Sequence, residues 1–316
     1  MFQTQIDIPH SAVEIMYESR VMTLGSCFSD NIGRKMANAY FQTDINPFGV
    51  LYNPVSILNS IELILQNKRF TTEDLFENNS IWQSFSHSSL FSDISAEGCL
   101  NKINDRLLAS SFTFQQTNFL LITFGTAWVF EEKESGSVVS NCHKLPANRF
   151  VRRRLSVDEI VSGYKALLLK LQALLPNLHI IFTVSPIRHF KDGAHENNLS
   201  KSTLLLAIAE IQEQFQQVHY FPAYEIQLDE LRDYRFYASD MMHPSDVAVD
   251  YIWSRFSETY FSPETIQLMK ELEQLNAGLS HRPLHPGSVE FLKFKESTEK
   301  KKTELVNKYP FLSNRF

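Results

Sequence analysis

The sequence predicts an α/β fold in which helices cover both faces of a central parallel β-sheet. Three observations support this prediction. Short apolar, β-rich runs alternate with helical patterns along most of the chain. Two of these runs, Phe119–Phe124 and His179–Val184, are almost continuously apolar, as is typical of central strands buried on both faces. A chain of 316 residues, 43% of them hydrophobic, is also long enough to bury such a sheet.

The alternation predicts five strands and five helices. The strands are expected near residues 21–24, 41–45, 118–124, 178–184 and 218–222. The helices are expected near residues 29–39, 54–66, 156–174, 200–217 and 245–260. After the third strand, apolar segments at 128–130 and 137–140 flank an acidic turn that contains a glycine, which predicts a β-hairpin at the edge of the sheet.

Two segments depart from this alternation. Residues 68–117 are rich in Ser, Asn and Phe and carry only a modest helical signal near 101–110, so we interpret them as an insertion. Residues 263–316 are expected to form a helical extension with a solvated face, because charges of both signs are interspersed there. The predicted organisation is one domain over residues 1–262 and a C-terminal extension over residues 263–316.

Composition limits the partners and the compartment. A net charge of −6 and a pI of about 5.9 argue against nucleic acid as the main partner. No apolar run reaches the roughly 18 to 20 residues of a membrane span, and residues 1–20 do not resemble a signal peptide, so no membrane association and a cytoplasmic location are expected. Three cysteines without ligand spacing predict reduced thiols, with no metal and no cofactor. The sequence indicates no particular oligomeric state.

Polar residues follow three of the predicted strands directly. Gly25-Ser26, Gly125-Thr126 and Ser185-Pro186 each stand where a strand ends. In an open parallel sheet the ligand crevice lies at the carboxyl ends of the strands, so we expect these residues to meet at one edge. Asp240 and His243 follow the last strand and are expected at the same crevice.

Ser26, His243 and Asp240 together have the composition of a serine triad. Ser26 would supply the hydroxyl nucleophile, His243 the base, and Asp240 the carboxylate that orients the imidazole. Each residue also has a simpler interpretation. Ser26 stands where it could cap the helix after Gly25, and Asp240 and His243 could form a local turn before the last helix. Cys27 is an alternative nucleophile, although a small buried thiol is the commoner role.

A triad also needs donors for the oxyanion of the tetrahedral intermediate. The backbone amide of Ser26 or Cys27 is one candidate, because it lies at a helix start. The amide of Gly49 is another, since a glycine permits close approach.

Three segments carry a family resemblance: Gly25-Ser26-Cys27-Phe28, Asn46-Pro47-Phe48-Gly49 and Asp240-Met241-Met242-His243-Pro244-Ser245. Together they resemble the GSCFA family of the SGNH hydrolase superfamily over roughly residues 20–260. The resemblance implies a three-layer α/β/α, flavodoxin-like fold of the SGNH hydrolase type with Ser26, Asp240 and His243 as the triad. It also implies an esterase, lipase, acetyl-hydrolase or acyltransferase.

The chain departs from this pattern at two places. Ser29 replaces the Ala of the family's naming motif, which should change little. Where the superfamily usually has Gly-x-Asn-Asp, the chain has Gly125-Thr126-Ala127-Trp128, so the expected oxyanion-hole Asn is absent. Asn46, Asn141 and the Thr126 hydroxyl are possible substitutes. Losing one such donor costs about 2.7–4 kcal/mol of transition-state stabilisation.

Asn141, His143 and Arg188 are candidates for substrate binding. Asn141 and His143 follow the predicted hairpin, and Arg188 follows a strand at the ligand edge, where it could pair with an anionic group. A solvated hairpin end and a structural ion pair explain these residues equally well. A Cys142-His143 metal site lacks spaced partners. The aromatic candidates for a pocket wall are Phe48, Tyr52, Trp82, Phe85 and Trp128.

By this resemblance the expected activity is serine-dependent hydrolysis of an acetyl or other short acyl ester of a carbohydrate or small metabolite. Two alternatives stay open. An acyltransferase would use the same site with a sugar hydroxyl in place of water, and a non-catalytic binding protein would keep the fold without turnover.

Overall fold

The computed structural model describes residues 4–316, so residues 1–3 of the predicted first domain lie outside the described residues. The strands are β1 Arg20–Gly25, β2 Gln42–Ile45, β3 Phe76–Asn78, β4 Ile81–Gln83, β5 Phe119–Phe124, β6 Trp128–Glu132, β7 Val138–Val139, β8 Phe150–Arg154, β9 His179–Val184 and β10 Val218–Tyr220. The helices are α1 Cys27–Asn38, α2 Pro54–Leu65, α3 Ala96–Phe114, α4 Val157–Leu174, α5 Gly193–Gln214, α6 Ala223–Glu225, α7 Asp246–Tyr260, α8 Pro263–Leu279 and α9 Val289–Lys308.

Five strands form a parallel sheet in the order β10-β9-β5-β1-β2. β2 lies beside β1 at one edge of the sheet, and β9 and β10 follow β5 toward the other edge. The strand order therefore reverses between β1 and β5, where Gly25 pairs with Thr123. A ligand crevice is expected at the carboxyl ends of these two strands.

Helices cover both faces of this sheet. Because successive side chains of a strand point to opposite faces, β5 contributes to two cores, and all six of its residues are buried. Leu120 and Ile122 pack with residues of α2, α3, α4 and α5, whereas Phe119 and Leu121 pack with residues of α1, α7 and α8. The three-layer α/β/α fold class predicted from the sequence is confirmed.

The predicted elements agree closely with the observed ones. The five strands of the parallel sheet begin and end within two residues of their predicted positions, and the hairpin is present as the antiparallel pair β6 and β7. Two details differ. A third strand, β8, extends the hairpin into a separate three-stranded sheet, and α5 begins at Gly193 rather than near residue 200.

The two segments outside the alternation contain regular structure. Residues 68–117 hold the short hairpin of β3 and β4, followed by the 19-residue helix α3, which packs against α2 in one helical layer. This helix is about twice as long as its sequence signal. Beyond residue 262, α8 packs against α9, and Leu305 is the buried residue of α9. The division into a domain and an extension stays a prediction.

Candidate active site

Ser26 stands at the junction between β1 and α1. Gly25 before it has a φ of 139°, and a Cβ at that position would lie 2.2 Å from the carbonyl oxygen of Thr123. Only glycine fits this close approach of β1 and β5. The side chain of Asn46 fixes the same junction, because its Oδ1 accepts from the N–H of Gly25 (2.8 Å) and its Nδ2 donates to Asp30 (2.5 Å).

The hydroxyl of Ser26 is buried and unpaired. Ser26 is 1% exposed, and its Oγ has no hydrogen-bond partner within residues 4–316. Although Ser26 occupies the N-cap position of α1, its side chain makes no capping bond. The interpretation of Ser26 as a helix cap is therefore not supported. A buried hydroxyl without a partner is uncommon enough to require an explanation, and a catalytic role is one.

Asp240 and His243 form a hydrogen-bonded pair. The Nδ1 of His243 lies 2.5 Å from Oδ2 of Asp240, while Oδ1 of Asp240 accepts from the backbone N–H groups of Met242 and His243, both at 2.9 Å. These two backbone bonds, together with the His243 side chain, lower the pKa of Asp240 to about 2. The local turn and the orientation of the imidazole, which were alternative interpretations, thus occur together.

The pair and Ser26 lie around the same end of the sheet, with no hydrogen bond from the Ser26 hydroxyl to either residue in the described chain. His243 precedes α7, which packs against α1. A series of contacts leads from His243 to the neighbour of Ser26. The ring of His243 lies edge-on to that of His189 (centroids 6.4 Å apart), His189 lies edge-on to Tyr52 (6.3 Å), and the Tyr52 hydroxyl lies 3.6 Å from Sγ of Cys27.

The backbone candidates for the oxyanion hole differ in availability. The N–H of Cys27 begins α1 and donates to no acceptor among the residues described. The N–H of Gly49 already donates to the carbonyl oxygen of Asn46 at 2.7 Å, in a turn where Gly49 has a φ of 74°. The Cys27 amide is therefore free to bind an oxyanion, and the Gly49 amide is engaged.

The side-chain candidates are also engaged. Asn46 uses both ends of its amide to hold the β1–α1 junction. The Oγ1 of Thr126 accepts from the N–H of Trp128 at 3.1 Å and lies 3.1 Å from the hydroxyl of Ser200 on α5. Both side chains stabilise the loops that follow the strands, so neither is free to donate a hydrogen bond to an oxyanion.

A cavity of about 830 Å³ forms the crevice beside this junction. Its walls include Tyr52, Thr126, Trp128, Asn141 and His189. Ser26 and His243 do not line it, whereas Tyr52 and His189, which connect them, do. The volume is within the usual range of ligand pockets.

The residues after the hairpin separate into two environments. Asn141 lines the crevice, and its Nδ2 donates to Ser89 at 3.2 Å. His143 is 5% exposed and points into the protein, where its Nε2 donates to the carbonyl oxygen of Ser84 at 2.8 Å. The prediction that His143 binds substrate is not supported by this orientation, because the ring packs against Phe76 of β3 (5.6 Å) and the Ser84 carbonyl oxygen and not against the crevice.

Arg188 forms hydrogen bonds with the first turns of α5. Its guanidinium donates to Asn197 (3.1 Å), Asn198 (2.6 Å) and the carbonyl oxygen of Ala194, and it does not line the crevice. Neither predicted role, the anion site or the structural ion pair, is what the contacts show. The guanidinium instead satisfies amide and carbonyl oxygens of the first helical turns.

Sequence reasoning missed Lys201 on α5. It is 2% exposed, and its Nζ donates to the carbonyl oxygens of Gly125 (2.8 Å) and Ser185 (2.7 Å). Gly125 and Ser185 directly follow β5 and β9, so one amine links the ends of two neighbouring strands. The available signal was a lysine in helical register with Leu204 and Ile208, an apolar face where a charge is unusual.

Lys201 is predicted to make stability depend on pH. Burial, and then the nearby Arg188, lower the pKa of Lys201 from 10.5 to about 7. Between those values the unfolded chain binds more protons, so the free energy of unfolding should increase with pH, by at most about 1.4 kcal/mol per pH unit. Urea unfolding at several pH values from 6.5 to 10 should show this slope in the wild type.

The matched variants separate this contribution from other titrations. Lys201→Met should be less stable and should lose the slope, whereas Lys165→Met, at an exposed position on α4, should retain it. Equal slopes in Lys201→Met and the wild type would contradict the assignment.

Two further features bear on the predictions. No group of three or more potential metal ligands occurs within residues 4–316. None of the helices described is long and apolar enough to cross a bilayer.

Comparison with known proteins identified a family and similar solved structures. The family model described as "GSCFA family" matches residues 20–256, and that described as "GSCFA domain protein, C-terminal domain" matches residues 272–315. A search of curated proteins found no match. Among solved structures, an acetyl xylan esterase from the rumen bacterium Butyrivibrio proteoclasticus is similar, with 13% identity and a TM-score of 0.40, over 82% of this chain and 66% of the esterase's chain.

Proposed function

The chain belongs to the GSCFA family, and from this premise we propose that it is a serine-dependent ester hydrolase that forms an acyl-enzyme on Ser26. His243 is the general base, Asp240 orients it, and the Cys27 amide donates to the oxyanion. The expected substrates are short acyl esters, acetyl esters among them, of a carbohydrate or small metabolite.

The pairing of His243 with Asp240 carries this proposal. A carboxylate that accepts the imidazole Nδ1–H leaves Nε2 as the unprotonated nitrogen, which is the tautomer a base needs. Two backbone N–H groups hold the carboxylate, so it stays ionised at neutral pH and stabilises the imidazolium that forms during reaction.

The proposed reaction has two displacement steps. The Ser26 oxygen attacks the ester carbonyl carbon while its proton moves to Nε2 of His243, which gives a tetrahedral oxyanion. Its collapse breaks the bond to the alcohol, which leaves with the proton from His243. Water then attacks the acyl-Ser26 ester and loses a proton to His243, and when the second tetrahedral intermediate collapses, His243 returns that proton to the Ser26 oxygen as the acid is released.

The buried Ser26 hydroxyl implies a movement before the first step. Backbone hydrogen bonds hold the loop of residues 237–245 together. The Ala238 N–H donates to the carbonyl oxygen of His243 (2.7 Å), and the Ser245 N–H donates to the carbonyl oxygen of Phe236 (2.9 Å). We expect this loop to shift as a unit when substrate binds and to bring His243 within hydrogen-bonding distance of Ser26. Catalytic hydrogen bonds commonly tighten only in the complex.

The walls of the crevice support the substrate class. The rings of Tyr52, Trp128 and Phe130 provide apolar surfaces that suit the C–H faces of a sugar, and Asn141 and Arg152 provide polar groups beside them. The guanidinium of Arg152 is paired with Asp192 and lies over the Trp128 ring (4.4 Å), so these two charges offset each other. Lys191, over the Phe130 ring (5.2 Å), adds one positive charge to the wall, so a neutral acyl sugar fits better than a cationic one.

Labelling with a small fluorophosphonate tests the nucleophile. The wild type should gain one adduct, measured by intact mass and located on Ser26 by peptide mapping, because only a hydroxyl activated by a base reacts readily. Ser26→Ala should not be labelled. The control is Ser29→Ala, since Ser29 lies in the first turn of α1, is as buried as Ser26 and also has an unpaired hydroxyl.

Ser29→Ala should be labelled at the wild-type rate. An adduct on Cys27 or Ser29 in place of Ser26 would reject the assignment of the nucleophile. No adduct in folded wild-type protein would reject the hydrolase and favour a non-catalytic binding protein. The lack of a hydrogen bond between Ser26 and His243 is the observation that motivates this alternative.

The size of the crevice favours a second candidate, an acyltransferase. A cavity of about 830 Å³ exceeds what a short acyl group fills, so room remains for an acceptor alcohol beside the acyl-enzyme. Acyl transfer to an added methyl glycoside, followed by mass spectrometry, distinguishes the two. Transfer in preference to hydrolysis would reassign the enzyme as a transferase.

A further inference from the structure

The oxyanion hole of the proposed site still lacks its second hydrogen-bond donor. The Cys27 amide is free, but the Gly49 amide, the Asn46 side chain and the Thr126 hydroxyl all make other hydrogen bonds. Asn53, the next amide along the chain, is also engaged, because its Oδ1 caps α2 and its Nδ2 donates to Ser56. Asn141 likewise uses its Nδ2 to donate to Ser89, so each of these side chains already has a hydrogen-bond partner, and a donor from a further side chain would complete the hole.

We propose that the hydroxyl of Tyr52 is the second oxyanion donor of this site and replaces the Asn side chain absent from Gly125-Thr126-Ala127-Trp128. This inference rests on the proposed function, because it assigns a further catalytic residue to the same reaction.

The position of Tyr52 supports the assignment. Its hydroxyl lies 3.6 Å from Sγ of Cys27, the residue whose free N–H is the backbone donor. Its carbonyl oxygen accepts from the N–H groups of both Gly125 (2.8 Å) and Thr126 (2.9 Å). Tyr52 is thus anchored to the end of β5, where the missing Asn would stand, while its hydroxyl reaches the start of α1.

The chemistry of the present contact leaves the hydroxyl available. A thiol is a weak hydrogen-bond acceptor, and 3.6 Å is a long contact. An oxyanion is a much stronger acceptor, so the Tyr52 O–H would exchange the Cys27 sulfur for the oxygen that becomes charged. The exchange needs only rotation of the C–O–H bond and a small shift of the ring.

Electrostatics keep Tyr52 a donor. Burial, with Cys27 and Asp30 nearby, raises the pKa of Tyr52 above its usual range, so the hydroxyl holds its proton at the pH of catalysis. The ring also lies in the crevice wall against His189, with 38% of the residue exposed, so a substrate can reach it. A protonated phenol beside a free amide is one of the usual compositions of an oxyanion hole.

Tyr52→Phe tests the proposal because it removes one oxygen and keeps the ring. With a short acyl nitrophenyl ester, kcat should decrease by about 10²- to 10³-fold while KM changes less than about threefold, since the bond forms in the transition state. Affinity for a small boronic acid, which forms a tetrahedral adduct on serine, should decrease in parallel. Tyr40→Phe is the control, because it removes a hydroxyl bonded to Asn276, away from the site.

The outcomes separate this proposal from the proposed function. Wild-type hydrolysis with an unchanged kcat in Tyr52→Phe overturns the assignment of Tyr52 and leaves the hydrolase standing. An increased KM at constant kcat also overturns it, because Tyr52 would then contact the ground-state substrate. No hydrolysis and no labelling by the wild type overturn both. A urea midpoint within about 0.3 M of the wild type confirms that the variant is folded.

Discussion

His243→Ala is expected to decrease kcat for ester hydrolysis by about 10⁶-fold, and Ser26→Ala by a similar factor. The two residues act as one unit in the proposed mechanism, because the hydroxyl is a weak nucleophile until the imidazole accepts its proton. Removing either member of such a unit costs about as much as removing both. The double variant Ser26→Ala/His243→Ala should therefore be no slower than either single variant.

This non-additivity is the informative measurement. Steady-state rates with a short acyl nitrophenyl ester, corrected for spontaneous hydrolysis, should give kcat for all three variants and for the control His285→Ala. His285 lies in the exposed turn between α8 and α9, so its variant should match the wild type. Losses that multiply in the double variant would show that the two residues act independently and would reject the shared mechanism.

The fold could be predicted from the sequence where burial left a simple pattern. β5 and β9 are buried on both faces, so their apolar runs are continuous and their limits are visible. The signal was weaker for α3, whose buried positions Cys99, Ile103 and Leu107 have helical spacing but whose sequence also contains Gly98 and a Ser pair. Gly and Ser are poor helix formers, and packing against α2 decides the length of this helix.

The candidate site was predictable only in its local part. Asp240 and His243 are three residues apart, so one turn brings them together, and Gly25-Ser26 follows a strand that the sequence identifies. For Lys201 the sequence shows a charge on an apolar helical face but not its partners, which are backbone carbonyls 76 and 16 residues away. A carbonyl looks the same whichever residue carries it, so such a contact cannot be read from residue types.

The same limit applies to the oxyanion donors. Gly49 and Asn46 have suitable groups, but the Gly49 N–H donates within the turn to the Asn46 carbonyl oxygen, and the Asn46 side chain bonds to Gly25 and Asp30, which only the structure reveals. Tyr52 could be placed in a pocket wall from its aromatic character, whereas its contact with Cys27 depends on how β5 and α1 meet. Residue type therefore predicts which chemistry is available, and geometry decides which groups are free to perform it.

Asp240→Asn is expected to decrease kcat by about 10⁴-fold while leaving the loop folded. The Asn side-chain oxygen can still accept from the backbone N–H groups of Met242 and His243, so the turn is retained. Its NH₂ group would face Nδ1 of His243 and favour the tautomer with the proton on Nε2, which cannot accept the proton of Ser26. The loss therefore arises from the imidazole tautomer and not from the loop.

Asp233→Asn is the matched control for this variant, because Asp233 is an exposed carboxylate in the same segment and also accepts from a backbone N–H, that of Arg235, at 2.9 Å. It should keep the wild-type kcat. Proton NMR adds a readout that does not need turnover: the short Nδ1–Oδ2 contact predicts a low-field imidazole N–H resonance in the wild type that disappears in Asp240→Asn. A decrease in kcat below about tenfold, with that resonance lost, would show that the reaction does not need the Asp240–His243 pair, and the base would then have to be assigned to another residue such as His189.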